Sequence, residues 1–178
     1  MHFYDLSKIS VILVDDNHHA LELVKTILRS IGVQHIDAFD NAESAYEALT
    51  RAEYDVMIVD WVMRPVDGLQ LVSRLRKVDS PCPFVPILML TGYTQEIRVM
   101  RARDAGVTEV LKKPVSVLSL HNRLVSIIEH PRPFIRNKTF FGPDRRRREE
   151  ERRGPDRRSS ETVEPVEHTA DRRESAGE

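Results

Sequence analysis

Five side chains suited to metal or phosphate chemistry stand at the ends of short apolar runs. Asp15 and Asp16 end the first run, Asp60 ends a second, and Thr91 and Lys113 end two later ones. Carboxylate oxygens are the ligands that Mg²⁺ prefers, and clustered carboxylates need a cation to offset their repulsion. An aspartate can attack phosphorus, while an ammonium or a hydroxyl group can bind phosphoryl oxygens. The set predicts a site for a divalent cation and a phosphoryl group.

The chain alternates between apolar runs and helical periodicity. Short apolar runs are typical of buried parallel strands, and apolar residues at three- and four-residue steps indicate helices. This pattern predicts a doubly wound α/β fold with five helices around a five-stranded parallel sheet. We expect the flavodoxin-like order 2-1-3-4-5, because it places the acid-bearing first and third strands beside one ligand crevice. The predicted strands are 12–16, 33–39, 56–61, 84–90 and 107–111, and the predicted helices are 17–31, 41–51, 68–77, 95–105 and 116–129.

A simpler explanation is that each of these residues only terminates its strand. An aspartate at a strand end is often only a turn-forming residue. That explanation is adequate for any one position, but it does not explain why reactive residues end four different strands.

Four motifs give the chain a family resemblance. They are the acid pair Asp15-Asp16, the segment Asp60-Trp61-Val62-Met63-Arg64-Pro65-Val66-Asp67-Gly68, the pair Thr91-Gly92, and Lys113 followed by Pro114. With this set, residues 8–130 resemble the receiver domain of two-component response regulators.

The resemblance implies a phosphorylation switch. Asp60 would accept a phosphoryl group from a histidine kinase or a histidine phosphotransfer protein. Asp15, Asp16, Asp60 and the backbone carbonyl of Val62 would hold Mg²⁺. Thr91 and Lys113 would bind the phosphoryl group.

Two residues depart from the family pattern. Arg64 separates Met63 from Pro65, and Val110 stands where the family often has an aromatic residue whose ring moves with the switch.

We expect phosphorylation to rearrange the face formed by the fourth helix, fifth strand and fifth helix. Val110, Arg98 and Arg101 are placed on this output face, although a solvated helix surface also explains the arginines.

The composition changes after residue 130. Residues 131–178 carry 13 Lys and Arg against 11 Asp and Glu, with almost no aliphatic residues after Ile135. We therefore predict a receiver domain over 6–130 and a charged, largely disordered tail over 131–178. The tail repeats Gly-Pro-Asp-Arg-Arg at 142–146 and 154–158, and 145–153 could form a short helix. Alternatively, Phe140 and Phe141 anchor the start of the tail on the receiver.

Other features favour a cytoplasmic signalling protein. No apolar stretch approaches the roughly 18 residues of a membrane span, and Cys82 is the single cysteine. Glutamates offset the tail arginines, so nucleic acid is an unlikely partner. We expect a monomer or a weak homodimer, with a downstream protein target that the sequence does not identify.

Several functions compete for this sequence. The leading one is a stand-alone response regulator that acts through protein contacts and is not itself an enzyme. The alternatives are a receiver-like scaffold without phosphorylation, and a DNA-binding regulator that uses the basic tail. A phosphohydrolase is disfavoured, because Val62 occupies the position where such enzymes usually carry a second aspartate. Val62 also predicts slow self-dephosphorylation.

Overall fold

The main sheet has the predicted topology. The computed structural model describes residues 4–77, 79–92, 96–136, 140–144 and 161–163. Five parallel strands follow the order β2-β1-β3-β4-β5 and alternate along the chain with five helices. The strands are β1 Ser10–Val14, β2 His35–Phe39, β3 Val56–Asp60, β4 Ile87–Thr91 and β5 Glu109–Lys112. The helices are α1 His18–Ser30, α2 Ala42–Arg51, α3 Gly68–Leu75, α4 Glu96–Ala105 and α5 Val117–Glu129.

Apolar residues cover both faces of this sheet. Alternate residues of β1 point to opposite faces, as strand geometry requires. Val11 and Leu13 pack with α1 and α5. Ile12 and Val14 pack with α2 and α3. The two cores hold the strands rigidly, so the ends of β1, β3, β4 and β5 have fixed positions.

Side-chain caps set where the helices begin. Asn17 Oδ1 accepts hydrogen bonds from the backbone N–H groups of His19 and Ala20, at 3.0 and 3.2 Å. Asn41 caps α2 in the same way, because its Oδ1 accepts a 2.8 Å hydrogen bond from the Ser44 N–H. Because a cap residue lies outside the helix itself, α1 and α2 each start one residue later than predicted.

Strand β4 is shorter than predicted. It begins at Ile87 instead of Phe84. Pro83 and Pro86 have no N–H group and cannot donate to a sheet ladder. Between them, Phe84 turns its ring toward a second, smaller sheet, which the sequence analysis did not predict.

The second sheet is built from the tail. It contains β6 Phe134–Arg136, β7 Phe141–Pro143 and β8 Glu161–Val163, in the antiparallel order β7-β6-β8. The rings of Phe134 and Phe141 meet the Phe84 ring edge-on, with centroids 5.2 and 5.4 Å away. The start of the tail therefore packs on the receiver through its aromatic residues. The predicted helix 145–153 lies outside the described residues.

A buried arginine connects the tail sheet to the main sheet. Arg76 follows α3 and is only 7% exposed. Its guanidinium donates hydrogen bonds to the carbonyls of Pro83, Val85 and Gly106, at 2.6 to 3.0 Å. The Phe134 ring lies 5.1 Å from the guanidinium carbon. One side chain thus ties the end of α3 to the segments that lead into β4 and β5.

Candidate functional site

Two buried aspartates and a lysine meet at the carboxyl edge of the main sheet. Asp15 follows β1 and Asp60 ends β3, and these neighbouring strands are in parallel register. Lys113 Nζ lies 2.8 Å from Asp15 Oδ2 and 2.7 Å from Asp60 Oδ1. The aspartate side chains are 3% and 9% exposed, while the lysine side chain is 29% exposed. The edge thus holds a bridged ion cluster that opens to solvent on the lysine side.

For both Asp60 and Lys113, burial and the charge of the ion-pair partner shift the pKa in opposite directions. The pKa of Asp60 is raised above its ordinary value; loss of hydration is the largest cause, and the hydrogen bond and charge of Lys113 act against it. The nearby Asp15 carboxylate raises this pKa further. For Lys113, burial alone would lower the pKa, but bonding to Asp15 and Asp60 gives a net rise. Lys113 is therefore an ammonium at neutral pH, and it compensates charge that the site has removed from water.

Asp16 connects the loop after β1 to the loop after β3. It is exposed, and its Oδ2 accepts a 2.9 Å hydrogen bond from the backbone N–H of Arg64. Arg64 is the residue that departs from the family pattern, yet its backbone is used to close the site. The departure therefore leaves the loop in place over the carboxyl edge.

The loop after Asp60 returns close to the aspartate. The Val62 N–H donates to Asp60 Oδ2 at 2.8 Å, and the Gly68 N–H donates to the Trp61 carbonyl at 3.0 Å. A Cβ added to Gly68 would lie 2.1 Å from the Asp60 carbonyl oxygen. Glycine is therefore required at 68 by a close approach of backbone to backbone. Asp67 caps α3 through a reciprocal capping box with Gln70.

Thr91 and Lys113 are joined through their backbones. Thr91 ends β4 and is 1% exposed, and its carbonyl accepts a 2.8 Å bond from the Lys113 N–H. Val62 is 55% exposed at the mouth of the site. The residues predicted from strand ends thus lie on one edge, and the described contacts link Asp15, Asp60 and Lys113 directly.

The donor chemistry of this edge fits a hard divalent cation. Asp15, Asp16 and Asp60 offer only oxygen ligands, as Mg²⁺ prefers, and a magnesium site needs few carboxylates because waters complete it. Within the described ranges, no group of three His, Cys, Asp or Glu side chains is arranged as a ready metal cluster. The contacts explain this, because Lys113 bridges Asp15 and Asp60, and Asp16 turns to Arg64.

The predicted output-face residues are separate from this cluster. Val110 on β5 is half-buried against the core that α3 and α4 cover, and Arg101 is exposed on α4. The side chain of Arg98 lies outside the described part of the chain. Exposed Met100 on α4, and exposed Val117 and Leu118 at the start of α5, add apolar surface that the sequence analysis did not name.

Sequence reasoning also missed the contacts of Glu109. This residue begins β5, is 7% exposed, and forms ion pairs with Arg123 of α5 and Arg132 before β6. A glutamate inside a predicted strand gave a weak signal, because charged residues are seldom fully buried unless they are paired.

These features define a receiver domain. Residues 11–125 match the response regulator receiver domain, so the chain belongs to this family of two-component signalling modules. The tail strands β6, β7 and β8 lie beyond the matched residues.

Individual relatives agree with this assignment. The chemotaxis protein CheY-3 of Vibrio cholerae is 28% identical over 119 residues, which cover 67% of this chain and 91% of that protein. The structure of the chemotaxis protein CheY4 of Vibrio cholerae superposes with a TM-score of 0.60 at 28% identity, covering 65% of this chain and 95% of CheY4. The receiver domain of the sensor histidine kinase PA1611 of Pseudomonas aeruginosa has a TM-score of 0.61 at 24% identity, covering 68% of this chain and 98% of that domain. That domain was solved with a magnesium ion coordinated in its active-site cleft.

Across the described residues, no helix has the length and apolar character needed to cross a membrane.

Proposed function

We propose that this chain is a stand-alone response regulator that accepts a phosphoryl group on Asp60 from a histidine kinase or a histidine phosphotransfer protein. The observation that carries this proposal is the contact of Lys113 Nζ with both Asp15 and Asp60. It places an ammonium beside the nucleophile, where charge develops on the transferred group.

Each residue of the site has a chemical role in this proposal. An oxygen of Asp60 forms a bond to phosphorus while the bond from phosphorus to the donor's histidine nitrogen breaks. Lys113 stabilises charge on the phosphoryl oxygens, and the Thr91 hydroxyl binds one of them. Asp15, Asp16, Asp60 and the Val62 carbonyl would hold Mg²⁺, which supplies further neutralisation of phosphoryl charge when bound.

The proposed output is a change of protein contacts. The output face combines half-buried Val110 and exposed Arg101 with the apolar residues Met100, Val117 and Leu118. We propose that this chain signals by binding a protein target through this face, acting in the cytoplasm as a monomer or a weak homodimer. We do not assign it a nucleic-acid partner.

Mass measurement of the intact chain tests the proposed function. After incubation with Mg²⁺ and acetyl phosphate, we expect one added phosphoryl group. The addition should be absent in Asp60→Asn and when a chelator removes Mg²⁺. Asp67→Asn is the matched control, because Asp67 caps α3 and should leave phosphorylation intact. Failure of both acetyl phosphate and a phosphorylated histidine phosphotransfer protein to modify the chain would favour the scaffold alternative.

Val62 is expected to make the phosphorylated state long-lived. Its side chain lies exposed beside Asp60 but has no group that could orient an attacking water. We expect Val62→Asn to accelerate loss of the phosphoryl group several-fold, since an amide can position water. The decay is followed by intact mass after removal of the donor. Val62→Leu should decay like the wild type, and an equal rate in Val62→Asn would contradict this explanation.

A further inference from the structure

Strand β8 joins the tail sheet from a distant part of the chain. Its register with β6 pairs Phe134 with Val163, Ile135 with Thr162, and Arg136 with Glu161. Strand β7 ends at Pro143, so a long chain segment separates the first two strands of this sheet from the third. The β6–β7 and β6–β8 ladders each have three residues, but β7 also packs Phe141 on Phe84, so β8 is the strand that can leave more easily.

The register between β6 and β8 indicates which residue types suit a strand that pairs with β6. Phe134 is buried and its partner Val163 is half-buried, whereas Thr162 on the alternate face is exposed. The register also pairs an acidic residue type with Arg136, a combination that antiparallel ladders favour. The edge thus fits an acidic residue, then a residue that faces solvent, and then a β-branched apolar residue.

Strand β6 is held in place without β8. Its other edge pairs with β7, and Phe134 packs on Phe84 and over Arg76. Just before β6, Arg132 forms an ion pair with Glu109. Departure of β8 would therefore leave a fixed strand with an open edge, and open edges are templates for strand addition.

The tail sheet is remote from Asp60. Phe84 precedes β4, and the Gly106 carbonyl bound by Arg76 precedes β5, so the anchors lie at the amino ends of these strands. Asp60 and Lys113 lie at the opposite, carboxyl edge. A ligand on β6 would leave the phosphoryl site accessible.

We propose that the β6 edge is a docking site for an extended segment of a partner protein, with an acidic residue followed two positions later by valine or isoleucine. Strand β8 fills this site within the same chain and acts as a built-in competitor. A tethered strand competes at an effective concentration on the order of millimolar, so partner binding is suppressed until β8 is released. This inference is independent of phosphorylation at Asp60.

The test uses the full chain and a labelled peptide with the sequence of residues 158–166. Val163→Pro removes the β8 backbone N–H that faces Phe134 of β6 and should release β8 from the ladder. By fluorescence anisotropy, we expect this variant to bind the peptide at least about tenfold more tightly than the wild type does, from the effective concentration above. Thr169→Pro, a proline placed later in the tail, is the matched control and should behave like the wild type.

A charge exchange gives a second, independent readout. Arg136→Glu should bind the peptide carrying Glu161→Lys in preference to the original peptide. Absence of peptide binding by both Val163→Pro and Arg136→Glu would overturn the proposal, as would equal binding by wild type and Val163→Pro. A concentration-dependent dimer of the wild type that Val163→Pro abolishes would also overturn it, because the occupant would then be a second copy of the chain.

Discussion

Replacing Lys113 with methionine is expected to slow phosphorylation of Asp60 by acetyl phosphate about a hundredfold. Removing one preorganised group that stabilises transition-state charge typically lowers a rate by about 10²–10³-fold. The Lys113 ammonium lies 2.7 Å from Asp60 Oδ1, so it is positioned to contact the phosphoryl oxygens as the bond forms. Methionine retains most of the length and apolar stem of lysine but has no charge.

The neighbouring lysine supplies the matched control. Lys112 is exposed, and in the described structure it does not contact Asp15 or Asp60. Its replacement by methionine removes the same positive charge. We expect Lys112→Met to be phosphorylated at nearly the wild-type rate. Equal rates for Lys112→Met and Lys113→Met would mean that net charge, and not the position of the ammonium, controls the reaction.

The same substitution should have an opposite effect on Mg²⁺ binding. Lys113 bridges Asp15 and Asp60, so it competes electrostatically with a divalent cation for these carboxylates. Lys113→Met should therefore bind Mg²⁺ more tightly while it reacts more slowly. Titration with Mg²⁺, followed through the fluorescence of buried Trp61 beside Asp60, separates the two effects. Loss of both Mg²⁺ binding and phosphorylation would instead indicate that the site no longer folds correctly.

The position of the site could be predicted because the carboxyl ends of parallel strands lie at one edge of the sheet. Once β1 and β3 are neighbours, Asp15 and Asp60 must come to the same edge, and β4 and β5 bring Thr91 and Lys113 to it. The apolar runs and the helical periodicity carried enough local signal to predict these elements. The sequence did not predict that Lys113 would bridge two carboxylates, because the path of a long side chain depends on its surroundings.

The tail sheet was harder to predict for a different reason. Strands of three residues are too short to show an alternating pattern, and the charged composition after residue 136 dominates the signal. Phe140 and Phe141 did indicate an anchor on the receiver, and Phe140 is buried and Phe141 half-buried in the structure. The Phe141 ring packs on Phe84, which is distant in the sequence and has no local pattern that links it to the tail.

Arg76 shows the limit of sequence reasoning most clearly. Its three acceptors are backbone carbonyls, and every residue has one, so no residue type marks the contact. Gly106 is part of the same arrangement, because a Cβ there would lie 2.8 Å from the Arg76 side chain. Gly106 also has a positive φ of 95°, and its place after α4 was consistent with a simple helix stop.

Arg76→Met is expected to lower the free energy of unfolding by about 3 kcal/mol, because an unpaired buried carbonyl costs roughly 1–3 kcal/mol and three lose their donor. Burial lowers the pKa of Arg76 to about 9, so the guanidinium is still charged at neutral pH. Removing this charge recovers part of its desolvation cost, which keeps the expected loss near the lower end of the range for three carbonyls.

Arg74→Met is the control for this change, since Arg74 lies in the last turn of α3, two residues before Arg76. The Arg74 side chain is 43% exposed and pairs with Glu43 at 2.7 Å, and exposed pairs contribute only about 0–1 kcal/mol. Urea unfolding followed by circular dichroism compares both variants with the wild type. Arg76→Lys should fall between them, because one ammonium keeps the charge but cannot reproduce the planar fork that spans three carbonyls. If Arg76→Met were no less stable than Arg74→Met, the three carbonyls would have to find other donors, and Arg76 would not be what joins α3 to the segments before β4 and β5.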